Sequence, residues 1–280
     1  MNEATFRVPA TTANLGPGYD CLGVALQIYN RVTVTPAASS DADPMAVAVA
    51  EKFFAASGRV AFPFAWRITG DVPRARGLGS SVTVRLGLLH GLNALAGRPL
   101  DARDLFQLCA ELEGHPDNAA PGAFGGFTVA GGAEVARFEV SPQLRFVLLI
   151  PDFEISTPAA RRVLPAQLDR LAAAQSCANA CRITAAFATQ NYALLRGAFA
   201  DHLHQPFREK ELIPFLSRVI AAGEAAGALG GFLSGSGSTI CCVTLENAET
   251  VALAMLAAAD SPNARTLITQ ADNVGAQIEE

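Results

Sequence analysis

Arg76-Gly77-Leu78-Gly79-Ser80-Ser81 joins a strand-like stretch to the clearest helical pattern in the chain. Upstream, Ala65–Thr69 reads as a strand that ends at Gly70, Asp71 and Pro73. Downstream, Val82, Leu86, Leu89, Leu92 and Leu95 recur at helical spacing until Gly97 and Pro99 stop the helix. A glycine-rich turn in this position lets backbone N–H groups approach an anion, and the helix N-terminus adds unsatisfied donors and the positive end of its dipole. The plainer alternative is that Ser80 or Ser81 only caps the helix. The stretch lacks the Gly-Lys-Ser/Thr ending of a Walker A loop, and the chain's two lysines, Lys52 and Lys210, are remote from it in sequence. The third glycine of a dinucleotide fingerprint is missing as well. The turn points to a phosphate-bearing ligand without specifying a reaction.

Outward from this turn, Thr5–Val8 and Ile28–Thr35 read as strands, separated by a polar, glycine-bearing loop over Thr11–Gly23. Residues 36–44 form a loop and a short helix follows from Met45 to Ala56. A second amphipathic helix covers Ala102–Leu112, and Phe127–Ala130 and Val135–Phe138 are strands. From Arg145 the pattern changes. A fully apolar strand, Phe146–Ile150, precedes helical stretches at 158–164, 166–190, 191–203 and 211–226. Strands at Gly231–Leu233 and Thr239–Leu245, a helix at 248–259 and a strand at 265–269 complete the order. That second half, β, α-rich, β-β, α, β, is compatible with a ferredoxin-like split βαβ layer. The expected fold class is α+β, with residues 1–142 as one domain and 143–280 as another, and no Gly/Ser linker between them.

Half of the 280 residues are hydrophobic and 17% are charged, which fits a packed globular chain and excludes disorder. A net charge of −5 offers no basic footprint for nucleic acid or anionic lipid. No apolar run approaches the roughly 20 residues needed to span a bilayer, and no signal peptide is visible, so the expected setting is the cytoplasm. The six cysteines match no zinc pattern, and Cys177 and Cys181, one helical turn apart, are expected to pack as small apolar residues. Small-molecule partners are implied, and a homodimer is left open.

Three blocks together carry a resemblance. Val8-Pro9-Ala10-Thr11-Thr12-Ala13-Asn14-Leu15-Gly16-Pro17-Gly18-Tyr19-Asp20-Cys21-Leu22-Gly23 is similar to the first motif of the homoserine kinase branch of the GHMP small-molecule kinases. Gly77-Leu78-Gly79-Ser80-Ser81 resembles the second GHMP motif, and Gly230 to Thr239 the third. A fourth block, Glu113-Gly114-His115-Pro116-Asp117-Asn118, resembles the same branch, and the likeness runs from residue 4 to about 276. Thr11 stands where mevalonate kinases and their relatives carry a lysine.

The resemblance implies a two-domain fold, with an N-terminal domain packed on a ferredoxin-like C-terminal one. It also implies ATP-dependent phosphorylation of the L-homoserine hydroxyl. Another hydroxy amino acid as acceptor, or a non-catalytic nucleotide-binding regulator, are the alternatives. ATP is expected on Arg76, Gly77, Leu78, Gly79, Ser80, Ser81, Gly235 and Gly237, and Mg²⁺ on Ser81 and Glu113. Mg²⁺ suits such a pair, because it takes one or two protein oxygens and fills the rest with phosphate and water. Asn14, Asp20, His115 and Asp117 are expected to receive the acceptor's ammonium and orient its hydroxyl. Arg161 and Arg208 are expected to fork its carboxylate. Glu113, Asp117 and Asn118 are the candidate catalytic residues, with no base assigned, since a loose phosphoryl-transfer transition state needs little help from one. Two departures stand out. Val82-Thr83-Val84-Arg85 replaces the small residues that usually continue the second motif, and Ser236 and Ser238 replace an alanine and a proline in the third.

Overall fold

The computed structural model describes residues 2–39 and 42–279, so Ser40 and Asp41 of the expected 36–44 loop lie outside it. Strands β1 (Ala4–Asn14) and β2 (Gly18–Pro36) pair antiparallel from Ala4↔Val34 to Asn14↔Gly18 and turn over residues 15–17. The expected loop over Thr11–Gly23 is therefore mostly hairpin. Its polar residues do not need water, because Thr11, Thr12 and Asn14 find partners in distant segments, at Asn118, Ser234 and Gly235. The long β2 also pairs with β3 (Phe64–Gly70) along residues 30–36 and with β4 (Phe127–Gly131) along residues 22–24. Strand β5 (Glu134–Phe138) extends the sheet beyond β4.

Helices α1 (Pro44–Ser57), α2 (Ser80–Leu95), α3 (Ala102–Glu113) and α4 (Ala119–Phe124) belong to this half. Leu86, Leu89 and Leu92 of α2 share a core with Val8, Val32, Val34, Phe53 and Phe106. The helix sits close on the sheet because Gly87 and Gly91 face Val32 and Val34, where a Cβ would collide. Asp101 and Asp104 form a capping box at the start of α3, and the left-handed Gly114 (φ 83°) ends it just after Glu113.

The second sheet has the order β7–β8–β6–β9, all antiparallel: β6 (Arg145–Ile150), β7 (Gly230–Leu233), β8 (Ile240–Thr244) and β9 (Arg265–Thr269). Helices α5 (Thr157–Arg162), α6 (Arg170–Thr189), α7 (Gln205–Leu212) and α8 (Leu216–Ala225) lie between β6 and β7, and α9 (Ala248–Ala258) between β8 and β9. This is the ferredoxin-like βαββαβ arrangement with extra helices. Two helical assignments differ from the sequence reading. Residues 191–203 hold only a 3₁₀ turn, Tyr192–Leu195, which Gly197 (φ 70°) follows. The stretch 211–226 is the end of α7, a break at Ile213-Pro214, and α8. Pro214 cannot donate to a continuous helix, whereas Pro206 near the start of α7 has no such bond to lose.

The chain passes between the sheets at 139–144, and its last strand, β10 (Gln277–Glu279), returns to pair with β1. One core spans both halves: Leu22, Val24 and Phe127 join Phe146, Leu148, Phe187 and Phe232, with Phe127 and Phe187 stacked at 4.2 Å. Such a continuous apolar seam holds the halves in one orientation. All six cysteines are free, and Cys177 and Cys181 are exposed on α6 instead of packed. No helix among the described residues is long and apolar enough to cross a membrane.

Candidate active site

A cleft of about 450 Å³ lies where the hairpin turn, the Arg76–Ser81 loop, the Glu113–Asn118 segment, α5, α7 and the β7–β8 turn converge. Gly77 (φ 72°) and Gly79 (φ 65°) occupy left-handed backbone, and a Cβ at either would strike Ser234 O or Thr11 Oγ1. Only glycine satisfies both demands at these two positions. The tight passage leaves the first turn of α2 open toward the cleft.

Ser81 is in that first turn, and its hydroxyl donates to Glu113 Oε2 at 3.1 Å. Adjacent oxygen ligands of an octahedral Mg²⁺ with bonds of about 2.1 Å stand about 3 Å apart. The two side chains thus fit a shared divalent cation. Glu113 has 10% of its side chain exposed and forms an ion pair with Arg85 through Oε1.

The other end of the cleft is built from opposed charges. Asn14 (φ 70°) and Asp20 (φ 58°) hold left-handed conformations at the hairpin turn, which short polar side chains tolerate. Asn14 Oδ1 accepts the Asp20 N–H at 3.0 Å, and its Nδ2 donates to Gly235 O at 2.9 Å. Asp117, 2% exposed, accepts through Oδ1 from the Asn118 N–H and lies 2.7 Å from His115 Nδ1. That hydrogen bond raises the His115 pKa above its ordinary value against the opposing effect of burial. Ligand atoms of Asp20, His115 and Asp117 lie within 4.8 Å of one another, looser than adjacent Mg²⁺ ligands and suited to an ammonium donating in several directions.

Arg161 on α5 donates to both oxygens of Asp20, at 2.7 and 3.0 Å. Arg208 on α7 is 2% exposed and donates to Ala160 O at 3.2 Å and Gly235 O at 2.8 Å. Its Nη1 also meets His204 Nδ1 at 3.2 Å, while His204 Nε2 lies 2.8 Å from Gly16 O. Burial lowers the His204 pKa to about 4, so the imidazole is neutral and accepts from the arginine. Both guanidinium carbons lie 5.5 Å from the Tyr19 ring centroid, one from each side chain.

Of the residues expected from sequence, all but Gly237 line this cleft. Gly237 packs against Ile213, Ile155 and Leu233. Arg76 lines the cleft, but its guanidinium is spent on Pro151 O, Asp152 O and Glu154, tying the Arg76–Ser81 loop to the second half. The Gly235 carbonyl serves the protein by receiving Asn14 and Arg208. Sequence reasoning missed Tyr19, which lies within the Val8–Gly23 motif. It also missed Met45, Trp66, Ile68 and Val84, an apolar end of the cleft whose one signal was the chain's lone tryptophan.

The chain belongs to the GHMP kinase family, with the GHMP kinases N-terminal domain matching residues 44–126 and the C-terminal domain residues 183–260. Within that family, homoserine kinases are among its relatives at substantial identity. That of Synechococcus sp. is 39% identical over 98% of this chain and 97% of that protein, and that of Moorella thermoacetica is 38% identical over 90% and 91%. Among solved structures, homoserine kinase from Cytophaga hutchinsonii superposes with a TM-score of 0.89 at 24% identity, covering 100% of this chain and 98% of that one. A putative homoserine kinase from Listeria monocytogenes gives 0.79 at 28% identity, with 99% of each chain covered.

Proposed function

We propose that this enzyme transfers the γ-phosphoryl group of ATP to the side-chain hydroxyl of L-homoserine, giving O-phospho-L-homoserine and ADP in threonine biosynthesis. The observation that carries the reading is the two-ended cleft, with a glycine loop and open helix N-terminus at one end and paired acids and arginines at the other. The full-length likeness to homoserine kinases supports the same substrate.

The polyphosphate lies along Gly77–Ser81, held by backbone N–H groups and the α2 dipole. Ser81 and Glu113 would hold Mg²⁺, which would supply positive charge against the nucleotide phosphates. The acceptor's ammonium faces Asn14, Asp20, His115 and Asp117, and its carboxylate faces Arg161 and Arg208. Asp117 and Asn118 sit between the ends, Asn118 Oδ1 being fixed by the Thr11 hydroxyl at 2.7 Å. The hydroxyl oxygen attacks the γ-phosphorus, the bond to the β–γ bridging oxygen breaks, and ADP leaves with that electron pair. The hydroxyl proton passes to Asp117 Oδ2 or to water. Positioning and charge stabilisation supply most of the acceleration in such a transfer.

The test is ADP release with Mg-ATP and a panel of L-homoserine, L-threonine, L-serine and mevalonate. Homoserine is expected to give the highest kcat/KM, and a higher value for any other acceptor refutes the substrate assignment.

A further inference from the structure

Arg85 lies one helical turn beyond Ser81, so both side chains leave α2 on the same face. It occupies a position where the family likeness leads one to expect a small residue, and the phosphoryl transfer as described makes no use of it. The structure gives it a specific partner. Its Nη1 pairs with Glu113 Oε1, while the other oxygen of that carboxylate takes the Ser81 hydroxyl. The pair is sheltered, with 21% of the Arg85 and 10% of the Glu113 side chain exposed. Glu113 also ends α3, where the helix dipole disfavours a negative charge, so the guanidinium compensates an otherwise poorly placed carboxylate.

We propose that Arg85 is a positioning residue that holds Glu113 neutralised, so that the divalent cation is retained only when it arrives with the nucleotide. This rests on the assignment of Glu113 as a metal ligand. The guanidinium fixes Oε1 and leaves Oε2 beside Ser81, which sets the ligand geometry. It also cancels the charge of the one carboxylate that stands beside the Ser81 hydroxyl. Nucleotide phosphates then bring the missing negative charge, and Mg-ATP binds as a unit. Even with the dielectric of water, a unit positive charge about 6 Å from a divalent cation weakens its binding on the order of tenfold, and a sheltered site weakens it more.

The experiment is an electron paramagnetic resonance titration of Mn²⁺ into the nucleotide-free enzyme, which needs no turnover. Arg85→Gln is expected to bind Mn²⁺ roughly tenfold or more tightly than the wild type, and Arg85→Lys to stay near it. Unchanged or weaker Mn²⁺ binding in a folded Arg85→Gln protein overturns the proposal. Arg85→Met serves as a second variant, and loss of the helical circular dichroism in both makes Arg85 a purely structural residue and also overturns it. The double variant Arg85→Gln/Glu113→Gln separates the two readings. Loss of the gain there supports the proposal, whereas a gain that survives removes Glu113 from the metal site.

Discussion

Replacing Arg208 by methionine tests the carboxylate clamp at its most buried point. The side chain is 2% exposed, and its Nε and Nη1 are committed to Ala160 O, Gly235 O and His204 Nδ1. Among the described residues Nη2 has no recorded bond, which leaves that arm of the fork for a ligand. Two costs follow. Carbonyls that lose a charged donor weaken the fold, at about 1–3 kcal/mol for each acceptor left dry. Gly235 O keeps the Asn14 amide, which leaves Ala160 O and His204 Nδ1, so the total is about 2–6 kcal/mol and the melting temperature falls by roughly 3–10 °C. The second cost is to binding. Removing one member of a desolvated charge pair costs about 2–5 kcal/mol, or roughly 30-fold to several-thousand-fold in kcat/KM for homoserine. KM for ATP should change less than that for homoserine, because the Arg208 side chain reaches only the Gly235 carbonyl and bonds to no atom of the Gly77–Ser81 loop. Lysine should restore part of the loss, since it keeps the charge without the fork. Steady-state ADP release under saturating ATP, beside a thermal melt, measures both. A methionine variant that melts early yet keeps wild-type kcat/KM would refute the clamp and leave Arg208 a structural residue.

Gly79→Ala should be far more damaging than an ordinary loop substitution, because its Cβ meets Thr11 Oγ1 on left-handed backbone. The expected result is a loss of ATP affinity of at least about tenfold in equilibrium titration, corresponding to ~1.4 kcal/mol. Retained affinity would contradict the close-approach argument. His90 predicts a specific acid sensitivity. Burial against Phe6 lowers its folded pKa to about 4 from the ordinary 6.5, so below pH 6.5 the unfolded chain takes up a proton that the native one refuses. Stability is complete above pH 6.5 and falls as the pH drops toward 4, by up to about 3 kcal/mol. Urea denaturation at pH 7 and pH 4.5 should give a smaller difference for His90→Gln than for the wild type, and equal differences would remove His90 from the acid response.

What the sequence revealed depended on whether a signal was local. Helix α2 was legible because Leu86, Leu89 and Leu92 repeat on one face and Gly97 follows its end. The βαββαβ order of the second half was legible for the same reason. The hairpin over Thr11–Gly23 was not, since its polar residues are satisfied by Asn118, Ser234 and Gly235, more than 100 positions away. Strand β10 has only three residues and exists through its pairing with β1. The site residues came from motifs, which name positions but not partners. Arg76 ties to backbone carbonyls at 151 and 152, and backbone carbonyls carry no side-chain signature. The Arg85–Glu113 pair joins two helices whose relative placement no local pattern records.

The central claim is that one end of the cleft is built for a zwitterion, with acids for its ammonium and arginines for its carboxylate. The most direct measurement compares kcat/KM for L-homoserine, homoserine amide and 4-hydroxybutyrate, which respectively present both charges, the ammonium alone and the carboxylate alone. Each analogue is expected to fall by at least roughly 30-fold. Arg208→Met should narrow the gap to the amide while leaving the gap to 4-hydroxybutyrate in place. Equal kcat/KM for all three compounds would contradict the claim.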